Sequence, residues 1–320
     1  MNDLIKRSYN SIPHDLAEIT RFFTLDVLST VAFGKPFGFL ENNKDLWEYN
    51  TNTSSLMIAL EWVANHRTIR ALFQSRIMQA LAAPKETDKT GMGPVLAFAR
   101  AAVAERYKPD AKPKKDMLGH FISKGLSQLQ CEVEANLQIV AGSDSTTTVL
   151  RSTIFLLIST PLAYNTLRQE IDLAAAAGNL STPVAKYSEL LKLHYLSAVI
   201  WEGLRLFPPL FGLKSKLAPP GGETFKDVFY PEGTQVAVCD DAMCRHPNVF
   251  GADAAVFRPE RWLEMNEATF KEKRRWVDAV FGSGRFLCLG RHIALMELHK
   301  AVVEVSLSRA TFELSNCSRC

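Results

Sequence analysis

Apolar residues recur at helical spacing through most of the chain. Phe22, Phe23, Leu25, Val27, Leu28 and Val31 crowd one stretch, which the stop signal Gly34-Lys35-Pro36 ends. A second helical stretch is predicted from Leu56 to Leu81, carrying Ile58, Leu60, Trp62, Val63, Ile69, Leu72 and Phe73. Two polar segments with Pro or Gly, Pro84 to Pro94 and Tyr107 to Asp116, flank a short helix from Val95 to Arg106. From Cys131 the spacing predicts one long helix reaching Ser159, stopped by Pro161; at the helical rise it spans roughly 44 Å, the length of a domain. Val133, Leu137, Val140 and Ala141, then Ile154, Leu157 and Ile158, are its expected apolar contacts. Helices follow from Leu162 to Ala177 and from Tyr195 to Phe207, the latter stopped by Pro208-Pro209. Strands are expected between Lys214 and Val238, with turns at Pro219-Pro-Gly-Gly222 and Pro231-Glu-Gly233. A last helix starts after Gly290 and runs through Leu295, Leu298, Val302 and Val305. The pattern is mainly α with a small β portion in the second half.

Composition narrows the class. The chain has 320 residues, 47% apolar and 22% charged, which excludes a disordered or low-complexity protein. Thirty-seven basic against 34 acidic residues give a net charge of +3, too mild for a dedicated nucleic-acid binder. No apolar run approaches the ~20 residues of a membrane span. The opening Met-Asn-Asp-Leu-Ile-Lys-Arg puts charge where a signal peptide needs apolar residues. The six cysteines are scattered, as in a reducing compartment, and Cys317-Ser-Arg-Cys320 stands without a second pair. Composition alone describes a soluble intracellular globule. Lys112-Pro-Lys-Lys115 reads as a solvated loop.

The candidate chemistry lies in Phe281-Gly-Ser-Gly-Arg-Phe-Leu-Cys-Leu-Gly290. Gly282, Gly284 and Gly290 permit tight turns and close approach of backbone to a flat ligand. Cys288 stands just before a helix, where free N–H groups and the positive dipole end stabilise a thiolate. Phe281 can shield its sulfur from water. The segment resembles the heme-binding loop of cytochrome P450 monooxygenases, Phe-x-x-Gly-x-Arg-x-Cys-x-Gly. Phe281, Gly284, Cys288 and Gly290 match it, while Phe286 takes the arginine's place and Arg285 stands one residue earlier, a shift familiar among filamentous-fungal members.

Three further motifs occur in the family's order. Glu202-Gly-Leu-Arg205 resembles its Glu-x-x-Arg signature, and Phe257-Arg-Pro-Glu-Arg-Trp262 its Phe-x-Pro-Glu-Arg-Trp element; the resemblance implies a structural charge network of Glu202, Arg205 and Arg261. Ala141-Gly-Ser-Asp-Ser-Thr-Thr-Thr148 resembles the oxygen-groove motif Ala/Gly-Gly-x-Asp/Glu-Thr-Thr/Ser, with Ser145 replacing a threonine. It implies a local distortion of the long helix and proton relay by Asp144, Ser145 and Thr146. Pro208-Pro-Leu-Phe-Gly212 resembles a segment lining the substrate pocket, and Lys216 falls where relatives commonly place a propionate-binding arginine. Lys271, Lys273, Arg274 and Arg275 make either a solvated face or a docking patch for an acidic reductase.

The resemblance therefore implies a single cytochrome P450 domain over residues 1–320, incomplete, with a long central helix over heme and a Cys-ligand loop before the last long helix. It implies heme b with an axial thiolate from Cys288, electrons from an NADPH-dependent flavoprotein reductase, O2, and a small apolar substrate, as in fungal specialised metabolism. Eukaryotic members usually sit on the endoplasmic-reticulum membrane through an N-terminal anchor. That anchor, the rest of the N-terminal third with its Trp-x-x-x-Arg element, and the C-terminal hairpin beyond Leu314 are expected to be missing. Two readings stand: a heme-thiolate monooxygenase (an isomerase or peroxygenase being variants of it), or a catalytically impaired heme-binding remnant or scaffold.

Overall fold

A computed structural model describes residues 15–73, 75, 78, 83–210 and 214–307. The expectations for Phe211, Gly212, Leu314, Cys317 and Cys320 lie outside the described residues.

The first helix, α1 (Leu16–Phe33), starts where the Asp15 carboxylate accepts from the Ala17 N–H and ends where Gly34 turns left-handed at φ 78°. Its Asp26 is buried and accepts from the N–H groups of Gly38, Phe39 and Leu40, so one carboxylate holds the chain reversal that follows. The stretch expected from Leu56 to Leu81 is broken. One helix, α2 (Tyr49–Asn65), begins about two turns earlier, and the extended backbone of His66 separates it from α3 (Arg67–Phe73). Next, α4 (Met92–Arg106) takes Pro94 into its first turn, where a missing N–H breaks no helical bond. A short α5 (Met117–Ser123), absent from the hydrophobic pattern, is capped by Asp116.

The long helix α6 (Gln128–Ile158) has 31 residues. It begins three residues before the expected Cys131 because Ser127 and Gln130 form a reciprocal capping box. One of its faces, through Cys131, Ala135 and Ile139, joins a cluster with Phe22, Leu25, Phe39 and Val103. Its second half, through Leu150, Ile154 and Leu157, joins another with Leu167, Leu196, Ile200 and Val302. One helix thus ties both cores. Val133 and Leu137 correct the sequence reading: they are more than half exposed, in a stripe with Leu129 and Ala141, because α6 carries apolar residues on two faces.

Two helices, α7 (Pro161–Ala176) and α8 (His194–Leu206), follow; α8 has no side-chain cap of its own, and Glu170 of α7 accepts from the N–H groups of Tyr195 and Leu196 instead. A β-carbon on Gly203 of α8 would overlap the buried Thr153 hydroxyl and lie 3.0 Å from that residue's Cβ, so this glycine sets how closely α8 crosses α6. Gly203→Ala is therefore expected to lose about 1–3 kcal/mol despite alanine's better helix propensity, measurable by urea denaturation. The strands form two separate antiparallel ladders: β1 (Lys214–Leu217) pairs with β4 (Gln235–Val238), and β2 (Glu223–Phe225) with β3 (Val228–Tyr230). The last two described helices are α9 (Glu267–Asp278) and α10 (Arg291–Leu307), and the cysteine loop connects them. Among the described residues, no single helix is long and apolar enough to cross a membrane.

Candidate functional site

The loop between α9 and α10 is closed by its own backbone. Cys288 N donates to Phe281 O at 2.8 Å, Leu287 N to Gly284 O at 3.1 Å, and Phe286 N to Ser283 O at 3.1 Å. Gly282 sits at φ 78°, and a β-carbon there would overlap the Phe286 carbonyl, so the turn admits no side chain. The Cys288 thiol is free and exposed. The Phe281 ring packs against the core, beneath the Arg291 guanidinium at 5.5 Å. Phe286, Leu287 and Leu289 are exposed instead, Leu289 by 85%.

Phe286, which stands in the motif's arginine position, is flanked by cations. Lys216 Nζ lies 4.6 Å from its ring centre and Arg285 Cζ 4.8 Å, so β1 and the loop present their charges together. One soft donor atom, a frame of exposed apolar side chains and two adjacent cations suit a flat apolar ligand. Heme, which can take a cysteine sulfur on its iron and carries two carboxylates, would fit that donor set. A β-carbon on Gly290 would make only ordinary contact, 3.9 Å from the Cys288 sulfur, so packing around the loop does not require glycine there.

The Glu-x-x-Arg pair is no surface pair. Glu202, Arg205 and Arg261 are 0%, 0% and 2% exposed. Arg205 donates from Nε to Glu202 Oε2 at 2.9 Å and from Nη2 to Oε1 at 2.7 Å, while Arg261 Nε donates to the same Oε1 at 2.9 Å. Trp262 Nε1 donates to Oε2 at 2.9 Å and Arg258 N to Oε1 at 3.0 Å. The outer edges of both guanidinium groups are spent on carbonyls of Cys244, Phe250, Asp253, Ala254 and Val256. One carboxylate thus joins α8 to the segment that precedes the loop.

On α6 the polar motif runs through unbroken helix; the expected distortion is not there. Ser145 turns its hydroxyl back to the Ala141 carbonyl at 2.7 Å, which satisfies it within the helix. Thr146 is buried, and Thr147 bonds Thr24 of α1 at 2.7 Å. A β-carbon on Gly142 would come 3.0 Å from Leu28 Cδ1, so this glycine makes room for α1. Asp144 forms an ion pair with Arg21 Nε at 3.2 Å. Burial raises its carboxyl above the usual range, while Arg21 and Arg151 pull it back down. Arg21, which sequence reasoning missed, also donates to Asn50 O and Ser54 Oγ of α2, so it links three helices. Contacts that distant in sequence leave no local pattern.

The basic quartet divides. Lys271 and Arg275 are exposed, Lys273 is half-buried, and Arg274 turns inward onto Trp201, 4.9 Å from its ring, and onto Asp278 at 2.7 Å. Burial depresses the Arg274 pKa to about 10. The neighbouring Lys214, also missed, donates to the carbonyls of Ala279 and Val280 and pairs with buried Asp240 at 2.6 Å.

The cytochrome P450 family model matches residues 2–316. Cytochrome P450 monooxygenase aba1 of Botryotinia fuckeliana is 40% identical over 91% of this chain and 57% of its own length. ABA1 of Pyricularia oryzae is 40% identical over 94% of this chain and 59% of its own length. Cytochrome P450 monooxygenase ACRTS1 of Alternaria alternata is 32% identical over 94% of this chain and 82% of its own length. The chain thus spans less than three fifths of the first two relatives.

Proposed function

The chain belongs to the cytochrome P450 family, whose members carry heme b on a cysteine thiolate, and on that premise we propose that it forms the heme-binding part of a monooxygenase. The reaction is insertion of one oxygen atom from O2 into a small lipophilic molecule, in fungal specialised metabolism. The observation that carries this reading is the exposed Cys288 thiol, framed by apolar side chains on a glycine-tightened loop at the start of α10.

In this reading Cys288 would hold the heme iron through its thiolate, and Phe281, Gly284 and Gly290 would shape its loop. Lys216 and Arg285 hold the propionates. Heme bound there supplies the redox-active iron at which dioxygen is activated. The exposed face of α6, from Leu137 through Ala141 to Ser145, and Leu210 after α8 offer the apolar wall that a lipophilic substrate requires. Asp144 is the group that holds and releases a proton on α6, with Arg21 keeping its carboxylate accessible against burial. Ser145 and Thr146 supply hydroxyls on the same turn. Glu202, Arg205 and Arg261 are structural, fixing the segment that leads into the loop. Lys271 and Arg275, exposed one turn apart on α9, are the docking face for an NADPH-dependent flavoprotein reductase.

The test is the reduced, carbon-monoxide-bound spectrum of the purified chain reconstituted with heme. A thiolate-type Soret band is expected, and Cys288→Ala is expected to abolish it. If the band persisted in the variant, Cys288 would not be the ligand. A folded chain that takes up no heme would leave the scaffold reading.

A further inference from the structure

Both ends of the cysteine loop meet at one carboxylate. Asp278 is the last residue of α9 and Arg291 the first of α10. Asp278 Oδ1 lies 2.7 Å from Arg274 Nη1 and 2.9 Å from Arg291 Nη2, and all three side chains are at least 73% buried. A cation on the first residue of a helix opposes the helix dipole, so Arg291 stands where an isolated arginine would be disfavoured. Asp278 offsets that charge and the charge of Arg274 together. Arg291 in turn covers the Phe281 ring, and Phe281 O accepts from Cys288 N. The contacts form an unbroken path from the end of α9, across the loop's mouth, to the backbone of the cysteine.

We infer that Asp278 and Arg291 are positioning residues, a clamp that closes the stems of the Cys288 loop and fixes the backbone that carries the sulfur. The inference rests on the heme-thiolate reading for its functional meaning, though not for its geometry. Lys214 supports the clamp from β1, since its ammonium catches the Ala279 and Val280 carbonyls where the loop leaves α9.

Asp278→Asn removes the charge and keeps the shape. Arg291→Met keeps an apolar stem over Phe281 and removes the charge, and Arg291→Lys keeps the charge. Amide hydrogen exchange of the heme-free chain reads loop order directly. Exchange over residues 279–290 is expected to rise about tenfold in Asp278→Asn and Arg291→Met, with the rest of the chain unchanged. Arg291→Lys is expected to restore most of the protection. The same two neutral variants, loaded with heme, are expected to lose thiolate-type Soret intensity to a non-thiolate band. Asp172→Asn, which breaks the exposed pair with Arg168 on α7, controls for loss of any ion pair and should change neither readout. Unchanged exchange over the loop would overturn the clamp. So would loss of the whole helical signal in both neutral variants, which would make the pair a general element of the core. If the unaltered chain bound no heme, the family-based reading would fail while the exchange arm still decided whether the clamp exists.

Discussion

Arg205→Ala is expected to cost the fold about 3–5 kcal/mol, the range for removing one partner of a buried ion pair. The reason lies in what stays behind. Glu202 is fully buried and would keep Arg261, Trp262 and the Arg258 N–H, but would lose both bonds to Arg205. The Cys244 and Ala254 carbonyls would lose the same donor, and a buried acceptor without its donor costs ~1–3 kcal/mol, while the Val256 carbonyl would keep Arg261. Set against a typical total of about 5–15 kcal/mol, such a loss removes much of the stability. Far-UV circular dichroism during guanidinium denaturation measures it, alongside soluble yield. Arg205→Lys keeps the charge but not the planar fork and should fall in between. A loss below ~1 kcal/mol would mean that the network is solvated and worth no more than a surface pair.

The long helix and the cysteine loop were legible because each is written locally. Helical apolar spacing with a proline stop marks α6, and glycines crowded around one cysteine before a helix mark the loop. The Glu202, Arg205 and Arg261 set could be named from its motifs, yet its burial could not, because the carbonyls that receive the two arginines come from segments without pattern. α9 escaped the periodicity for a physical reason. Its inner face pairs Phe270 and Val277 with Lys273 and Arg274, cations that lie over the rings of Phe250 and Trp201. A hydrophobicity count scores that face as polar. Val133 and Leu137 failed in the opposite sense: spacing says that residues share a face, and cannot say which of two apolar faces meets the core. The ties of Arg21 to Asp144, Lys214 to Asp240 and Asp278 to Arg291 join separate elements, so each residue alone reads as an ordinary surface charge.

Those ties share a consequence for the site. Each element that carries a proposed functional group is anchored by charge on its inward side: α6 by Arg21, β1 by Lys214, the loop by Asp278 and Arg291. The outward sides, with Leu137, Leu210, Phe286 and Leu289, are apolar and exposed. Buried ion pairs cost desolvation and add little net stability, but they have one good geometry. Apolar contacts are non-directional, so it is such pairs that fix how these elements are oriented.

Glu297→Gln is expected to stabilise the chain at pH 8 by about 3–5 kcal/mol while changing little near pH 5. Glu297 lies inside α10, 4% exposed, and neither carboxylate oxygen has a hydrogen-bond partner among the described residues. Burial pushes its carboxyl up to about 8, so the folded chain keeps a proton there at neutral pH. The unfolded chain releases that proton near the ordinary glutamate value of about 4.3. Between those two values the folded state binds more protons than the unfolded state, so stability falls as pH rises, by ~1.4 kcal/mol per unit. Above the folded value both states are ionised and the decline stops. Glutamine cannot ionise and lacks this slope. Urea midpoints of wild type and variant at half-unit steps from pH 5 to 9 give the difference directly, with the titrations of His299, Asp144 and other shifted groups cancelling. Two parallel curves would mean that Glu297 ionises in the folded chain as easily as in water, and hence that water or a cation reaches it inside α10.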